Sequence, residues 1–439
     1  MESSLVIRGW KLEVREIETR GWKVEVRLLD DRGWKLVLTS IFYLLVSFAK
    51  AQTLEDYQSQ AAEQNPGLQA KYKAFEAALE RIPQANSLQD PTFSFGYFIS
   101  PVETRVGPQR ARFSLTQMFP WFGTLKASGD VATLNAEAQY QVFLDARNKL
   151  YYQVAAAYYP LYELDKWIVL ESENAEILES YKTIATTRFE NDQGTLVDVL
   201  RVDIMLKDAL TNLEILRKKK QPLVTSFNKL LNREEYADVV VTDSLMVTDL
   251  AINRDSLLAN NPVLDELEIR LEASKKQEVL SEKQGLPKLG VGLDYVIVSE
   301  RSDMSVPDNG QNALMPMVTV GIPIFRGKYK SARKEAQLMQ DSYSLQKEDR
   351  INQLISGYEM ADFDRVKQME LLQLYDEQIA ETQQVLNLLL SAYGNSGTAF
   401  EEVLRTQQQL LKYKKMKATA MMDYHVAVAK LNYLTAKKY

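Results

Sequence analysis

The chain has 439 residues, 46% of them hydrophobic and 26% charged, a composition that can bury a core and excludes a disordered polymer. A net charge of -6 leaves no broad basic surface for nucleic-acid phosphates, so no nucleic-acid partner is expected. The absence of cysteine excludes disulfides, thiolate metal sites, cysteine nucleophiles and an acylated lipoprotein cysteine, and the single histidine, His425, leaves little for metal ligation or base catalysis.

Residues 1–34 form a charged extension in which RGWK occurs three times, at Arg8, Arg20 and Arg32, and they are expected to lie outside the fold. Either an upstream read-through of repeated DNA or a short amphipathic surface segment would account for them. Residues 35–51 read KLVLTSIFYLLVSFAKA, a basic flank, an apolar stretch and a small-x-small ending at Ala49 and Ala51. This is the pattern of a secretory signal peptide cleaved before Gln52. Its apolar stretch falls short of the ~20 residues that span a bilayer as a helix, although an N-terminal anchor helix is the alternative.

From residue 52 onward one pattern occurs twice, over 52–245 and 246–439. The first unit carries Asn65-Pro66, TFSFGYFIS from Thr92, ARFSLTQMFPWFG ending at Gly123, and FENDQGTLVDVLR ending at Arg201. The second carries Asn261-Pro262, KLGVGLDYVIV from Lys288, MVTVGIPIFRG ending at Gly327, and YGNSGTAFEEVLR ending at Arg405. Order and spacing hold, with offsets of 196 residues between Asn65 and Asn261 and 204 between both Gly123 and Gly327 and Arg201 and Arg405.

Within each unit the hydrophobic period changes from helical to extended and back. Phe93, Phe95, Tyr97 and Ile99 alternate with Thr92, Ser94, Gly96 and Phe98, and Leu289, Val291, Leu293 and Tyr295 alternate with smaller or polar neighbours. Partner strands are expected at about 110–119 and 315–325, giving four strands of about 9 to 11 residues, the length of a tilted membrane-spanning β-strand. After Gly123 and Gly327 follow helical stretches to about Thr187 and Ser391. At 1.5 Å per residue, roughly 64 residues reach about 96 Å, far beyond an ordinary globular helix. Turns at Gly194 and Gly397 lead into returning helices over about 195–231 and 398–435. Pro160 and Pro222 should kink or break these helices, and the basic run Arg217 to Lys220 reads as a solvated helix end.

Four strands with one apolar face cannot close a barrel, because the smallest outer-membrane barrels need about eight and an open edge is intolerable in lipid. Two copies would give about eight strands around a lumen filled by side chains, whereas three give about twelve around an open pore. The expected fold class is therefore an α+β membrane protein: a trimeric 12-stranded β-barrel, four strands per protomer, continued by a long α-helical barrel, with an internal two-fold repeat.

The paired units, the FPWFG and IPIFRG strand ends and the GTLVDVLR and GTAFEEVLR turns resemble the TolC family of outer-membrane efflux proteins over residues 53–435. The resemblance implies a homotrimer in outer-membrane lipid with a periplasmic extension. It also implies a periplasmic adaptor protein and an inner-membrane pump that supplies the energy, with the chain acting as a passive conduit. In that family, acidic residues just after the second helical turn form rings that narrow the periplasmic entrance. Matching the Val403-Leu404 pair places Glu402 at such a position, beside Glu401, with Asp198 as its repeat counterpart. Three symmetry-related carboxylates would repel one another and favour cations. Arg405 stands where the family prototype has a second acid, and Arg201 mirrors it, so an Arg-to-acid latch is the alternative to a second ring. Tyr393, near the same turn, is either part of the latch or a packing aromatic. For Asp198, Glu401 and Glu402 a simple favourable charge in a helix's first turn is the competing explanation.

Met304, Met315 and Met317 offer soft thioether donors, yet two of them fall on a predicted strand and no Cys or His completes a site, so no metal or cofactor is expected. No nucleophile motif, metal spacing or phosphate loop points to an enzyme. A soluble helical-hairpin scaffold or adaptor is the alternative from another class, and it leaves the signal and the lipid-length strands unexplained.

Overall fold

The computed structural model describes residues 6–7, 10–11, 53–242, 244–247, 256–259, 261–396 and 400–436. The chain divides into two units, Met1–Ala51 and Gln52–Tyr439. In the first, β1 (Val6–Ile7) pairs antiparallel with β2 (Trp10–Lys11). The signal-like segment 35–51, its cleavage point and the RGWK copies at Arg20 and Arg32 lie outside the described residues.

The second unit opens with α1 (Leu54–Gln64), started by a capping box in which Thr53 and Asp56 satisfy each other's backbone N–H groups. α2 (Pro66–Leu79) and α3 (Arg81–Asn86) follow. The Asn-Pro pairs do the same job in both repeats. Asn65 Oδ1 accepts from Leu68 N–H at 3.0 Å while its Nδ2 donates to Leu230 O at 2.8 Å. Asn261 Oδ1 accepts from Val263 N–H at 3.1 Å while its Nδ2 donates to Leu434 O at 3.0 Å. Each asparagine caps one helix and clips the carbonyl end of a returning helix, and the following proline fits the first helical turn.

Four antiparallel strands form one sheet in the order β3 (Thr92–Val102), β4 (Gln109–Phe119), β5 (Lys288–Val298) and β6 (Ala313–Gly321). Opposed pairs Phe95↔Phe113, Phe113↔Tyr295, Leu115↔Leu293, Val291↔Val318 and Leu289↔Val320 put the large apolar side chains on one face. That face is bare: Phe93 is 64% exposed, Tyr97 64% and Val318 79%. The opposite face carries Thr92, Ser94, Arg112, Ser114, Thr116, Gly290, Gly292 and Asp294, with Asp294 held by Arg112 and by the Ser114 hydroxyl. Gly292 faces Thr116, and a Cβ there would lie 3.0 Å from its Oγ1, so a side chain at this one position would press on Thr116. β6 stops at Gly321 rather than near Phe325. Pro323 has no N–H for a ladder, and the chain instead folds on itself through Ile324 N–H to Ile322 O and Arg326 N–H to Ile324 O, both 3.0 Å.

The long helices are α4 (Thr124–Glu190, 67 residues) returning as α5 (Leu196–Leu230), and, after α6 (Ser256–Ala259) and α7 (Pro262–Gln284), α8 (Gly327–Ser396, 70 residues) returning as α9 (Phe400–Leu434). At 1.5 Å per residue, α4 and α8 are each about 100 Å long. α5 packs on α4, α4 on α9 and α9 on α8, so the four form a row in which α5 and α8 are the outer members. Neither Pro160 nor Pro222 breaks its helix. Around Pro160 the buried side chains Tyr158, Leu161, Tyr162 and Leu164 anchor both sides, and this packing outweighs the lost hydrogen bond. No helix among the described residues is long and apolar enough to cross a membrane.

Candidate gate at the helical tips

The ends of the two long hairpins, farthest along the chain from the sheet, bring the sequence-selected residues together. α4 ends at Glu190, and Asp192 takes a positive φ of 57° in the turn before Thr195. Thr195 then caps α5: its hydroxyl accepts from Asp198 N–H at 3.2 Å, and Asp198 Oδ2 accepts from the Thr195 hydroxyl at 2.8 Å. Asp198 is thus engaged as a capping carboxylate. The second turn, around the expected Gly397, lies outside the described residues, and α9 resumes at Phe400.

Two ion pairs hold the remaining charges. Arg201 Nη1 meets Glu401 Oε2 at 2.6 Å, crossing from the first hairpin to the second, and Arg405 pairs with Glu402 one turn earlier on its own helix. Each of the three acids expected at the entrance therefore has a partner within one protomer, and the arginines standing where a second acid was possible supply the countercharge. Arg201, Ile204, Met205, Glu401, Leu404 and Arg405 line a cleft of about 360 Å³ between α5 and α9.

Tyr393 is 7% exposed and stacks on Phe400 with ring centroids 4.6 Å apart. Burial pushes its phenol above the usual tyrosine range, and its hydroxyl lacks a hydrogen-bond partner. It sits in a core with Tyr181, Ala185, Val202, Leu206, Val403 and Leu404.

Sequence reasoning missed Arg188. Its Nη1 donates to Tyr393 O at 2.6 Å and its guanidinium lies 4.4 Å from the Tyr393 ring centroid, a second bridge between the hairpins. The available signal was a broken repeat: the offset of about 204 residues lands on Ser391 or Ala392, neither of them charged. It also missed a pair inside the first hairpin, Lys182 to Asp203 at 2.8 Å, reinforced by Lys207 at 2.7 Å. These lysine hydrogen bonds hold the Asp203 carboxyl down at about 2. A polar ladder joins α4 to α9 farther from the tip, with Gln407 to Asn174, Lys415 to Glu171, and Thr419 to Glu163. Met315 and Met317 lie on β6 as expected, and Met304 lies in the preceding loop.

Residues 253–437 match the family model for outer membrane efflux proteins. No curated protein matches the chain significantly. Among solved structures, the chain is similar to the outer membrane protein VceC from Vibrio cholerae, with TM-score 0.71 and 15% identity over 87% of this chain and 95% of that one. It is also similar to the Campylobacter jejuni CmeC outer membrane channel, with TM-score 0.70 and 12% identity over 97% and 93% of the two chains. For the Neisseria gonorrhoeae MtrE outer membrane channel in its open state the values are 0.71, 14%, 88% and 89%. At these identities the likeness establishes the fold.

Proposed function

We propose, from the match of residues 253–437 to the outer membrane efflux protein family model, that three copies assemble into a single duct through which an inner-membrane pump drives solutes. The protein is an outer-membrane channel with a periplasmic helical extension, and not an enzyme. One observation carries the assembly: the sheet exposes an apolar face of Phe93, Phe95, Tyr97, Leu115, Val291, Leu314 and Val318, while β3 and β6 each keep one edge without a strand neighbour among the described residues. In water such a face invites aggregation, and in lipid such edges leave polar groups unsatisfied. Three sheets joined edge to edge remove both costs with twelve strands, and two would leave a lumen packed with side chains. The polar face, with Arg112, Asp294 and the glycines, then lines the pore.

The helical rows continue the barrel, since α5 and α8, the outer members of the row, expose Leu200 and Leu388, which a neighbouring protomer would cover. A periplasmic adaptor protein would dock on the helical exterior and link the duct to the pump. The entrance is narrowed at the tips by Glu401, Glu402 and Asp198, with Arg201 and Arg405 as latches. Tyr393 holds the latch in place through its stacked Phe400. A helical scaffold would leave the bare apolar sheet face without a role.

The test is fractionation and mass. Expressed with its export segment, the chain should partition into outer membranes and, in detergent, show the mass of three copies by light scattering. Recovery as a water-soluble monomer without detergent would overturn the proposal.

A further inference from the structure

At the opposite end of α4, where β4 passes through Pro120 into the helix, Met118, Trp121, Thr124, Lys283, Lys288 and Lys328 line a cavity of about 350 Å³. Met118 and Lys288 fall on the polar side of the sheet, because their neighbours in register, Phe119 and Leu289, oppose each other on the apolar face. The 67-residue helix begins here without a side-chain cap, since its N-cap is Gly123, held at φ 76°. Trp121 O accepts from Thr124 N–H at 3.0 Å and Gly123 O from Ala127 N–H at 3.0 Å, and neither Leu125 N–H nor Lys126 N–H makes a backbone hydrogen bond of this kind. An uncapped helix start concentrates partial positive charge.

Two independent features show that this end is built for a ligand. Thr124 is only 7% exposed, lines the cavity, and its Oγ1 has no hydrogen-bond partner. A buried hydroxyl left without a partner is destabilising until something fills its valence. In addition, the three lysines converge on a cavity lined by no Asp or Glu, and none of them makes an ion pair among the described residues. Lys283 sits in the last turn of α7, where it offsets that helix's negative end, and its Nζ reaches to 3.1 Å from the position a Gly123 Cβ would occupy. This places its ammonium directly at the start of α4.

Three ammonium groups, a helix N-terminus and a hydroxyl donor repel cations and match a multivalent oxyanion. We propose that this cavity binds a phosphate group. At the junction between sheet and helices, that group comes either from a phospholipid headgroup or from a free phosphate anion inside the duct. The inference goes beyond the duct reading, because the cavity is complete within one protomer.

The experiment uses the full chain in detergent micelles, titrated calorimetrically with inorganic phosphate, and in parallel the full chain in nanodiscs of phosphatidylglycerol or phosphatidylcholine, released into detergent and weighed by native mass spectrometry. Binding of inorganic phosphate identifies a free anion, and selective retention of phosphatidylglycerol alone identifies a headgroup. In either arm the Lys283→Gln/Lys288→Gln/Lys328→Gln variant should weaken binding at least ~10-fold, and Thr124→Val by a few-fold. Circular dichroism and detergent-resistant oligomer migration confirm that the variants fold. Should the triple variant fail to fold, the exposed Lys328→Glu alone must still weaken binding several-fold. Absence of both inorganic phosphate binding and phosphatidylglycerol retention in the wild type, or binding unchanged by these substitutions, would overturn the proposal.

Discussion

Reversing one charge at the tip tests whether the Arg201–Glu401 pair holds the proposed entrance closed. The two side chains are 44% and 63% exposed, so solvent screens the pair and its worth is about 0.5 kcal/mol in each protomer. In the proposed trimer three such pairs would contribute about 1.5 kcal/mol, roughly a tenfold bias toward a closed entrance. Glu401→Lys replaces attraction by repulsion, so the change approaches twice that, on the order of a hundredfold. Purified channels in planar bilayers should then show larger or more frequent openings for Glu401→Lys and for Arg201→Glu. The Arg201→Glu/Glu401→Arg double exchange restores both the pair and the wild-type net charge, and should return conductance to the wild-type level. If both single reversals assemble normally and conduct like wild type, or if the double exchange stays as open as the singles, the pair is not a latch.

Three further outcomes follow from the geometry. Asn261→Ala removes the cap on Val263 and leaves Leu434 O buried without a donor, a loss of about 2–4 kcal/mol, so the thermal midpoint of the oligomer should fall by several degrees; Asn65→Ala, at a more open site, should cost less. Asp203 is held at about 2 against an ordinary 3.8, so its pairing contributes fully above the ordinary carboxylate range and is lost as pH falls from about 4 through about 2. The stability difference between wild type and Asp203→Asn, read from denaturant unfolding, should be flat near neutrality and shrink across that window; a difference constant through it would refute the assignment. Val318→Arg places a charge on the bare apolar face, at a cost of about 2–4 kcal/mol per protomer in mid-bilayer, and should abolish heat-resistant oligomers in outer-membrane fractions, whereas Thr319→Arg on the polar face should be tolerated.

The strands were legible because lipid-facing alternation is written directly into residue order. Phe93 to Ile99 and Leu289 to Tyr295 announce one face, and β5 spans the residues expected of it. The end of β6 was not legible, since MVTVGIPIF alternates well past Gly321 and only the missing Pro323 N–H interrupts the ladder. Pro160 and Pro222 misled for the opposite reason: a local rule was overridden by packing from distant segments. At the tips, Thr195 three residues before Asp198 is a capping signal readable within four residues. The Arg201–Glu401 pair joins turns 200 residues apart, and no local pattern specifies which of several nearby acids an arginine will meet.

The repeat also conceals an asymmetry that bears on where the proposed duct would open. In the first hairpin Lys182 pairs with Asp203, and the repeat offset carries these positions to Leu386 and Gln407. Leu386 joins the apolar core, and Gln407 turns instead toward Asn174 on α4, the tipmost rung of the ladder that continues through Glu171–Lys415 and Glu163–Thr419. Breaking a buried pair such as Glu171–Lys415, whose carboxylate side chain is 3% exposed, costs about 3–5 kcal/mol, against about 0.5 for the exposed Arg201–Glu401 pair. Polar contacts therefore resist separation of the hairpins weakly at the tip and strongly from Asn174 upward, and at the tip the apolar core of Tyr181, Val202, Tyr393, Phe400 and Val403 supplies the rest of the hold. Sixteen residues of α4 lie between Asn174 and its end at Glu190, about 24 Å of helix. Within that span, among the described residues, the bridges to α8 and α9 that must yield include the Arg201–Glu401 pair, the Arg188 contact with Tyr393 and the apolar core around Phe400. In the proposed gate, opening would be a local parting of the last turns, with the wall above them held by its buried polar rungs.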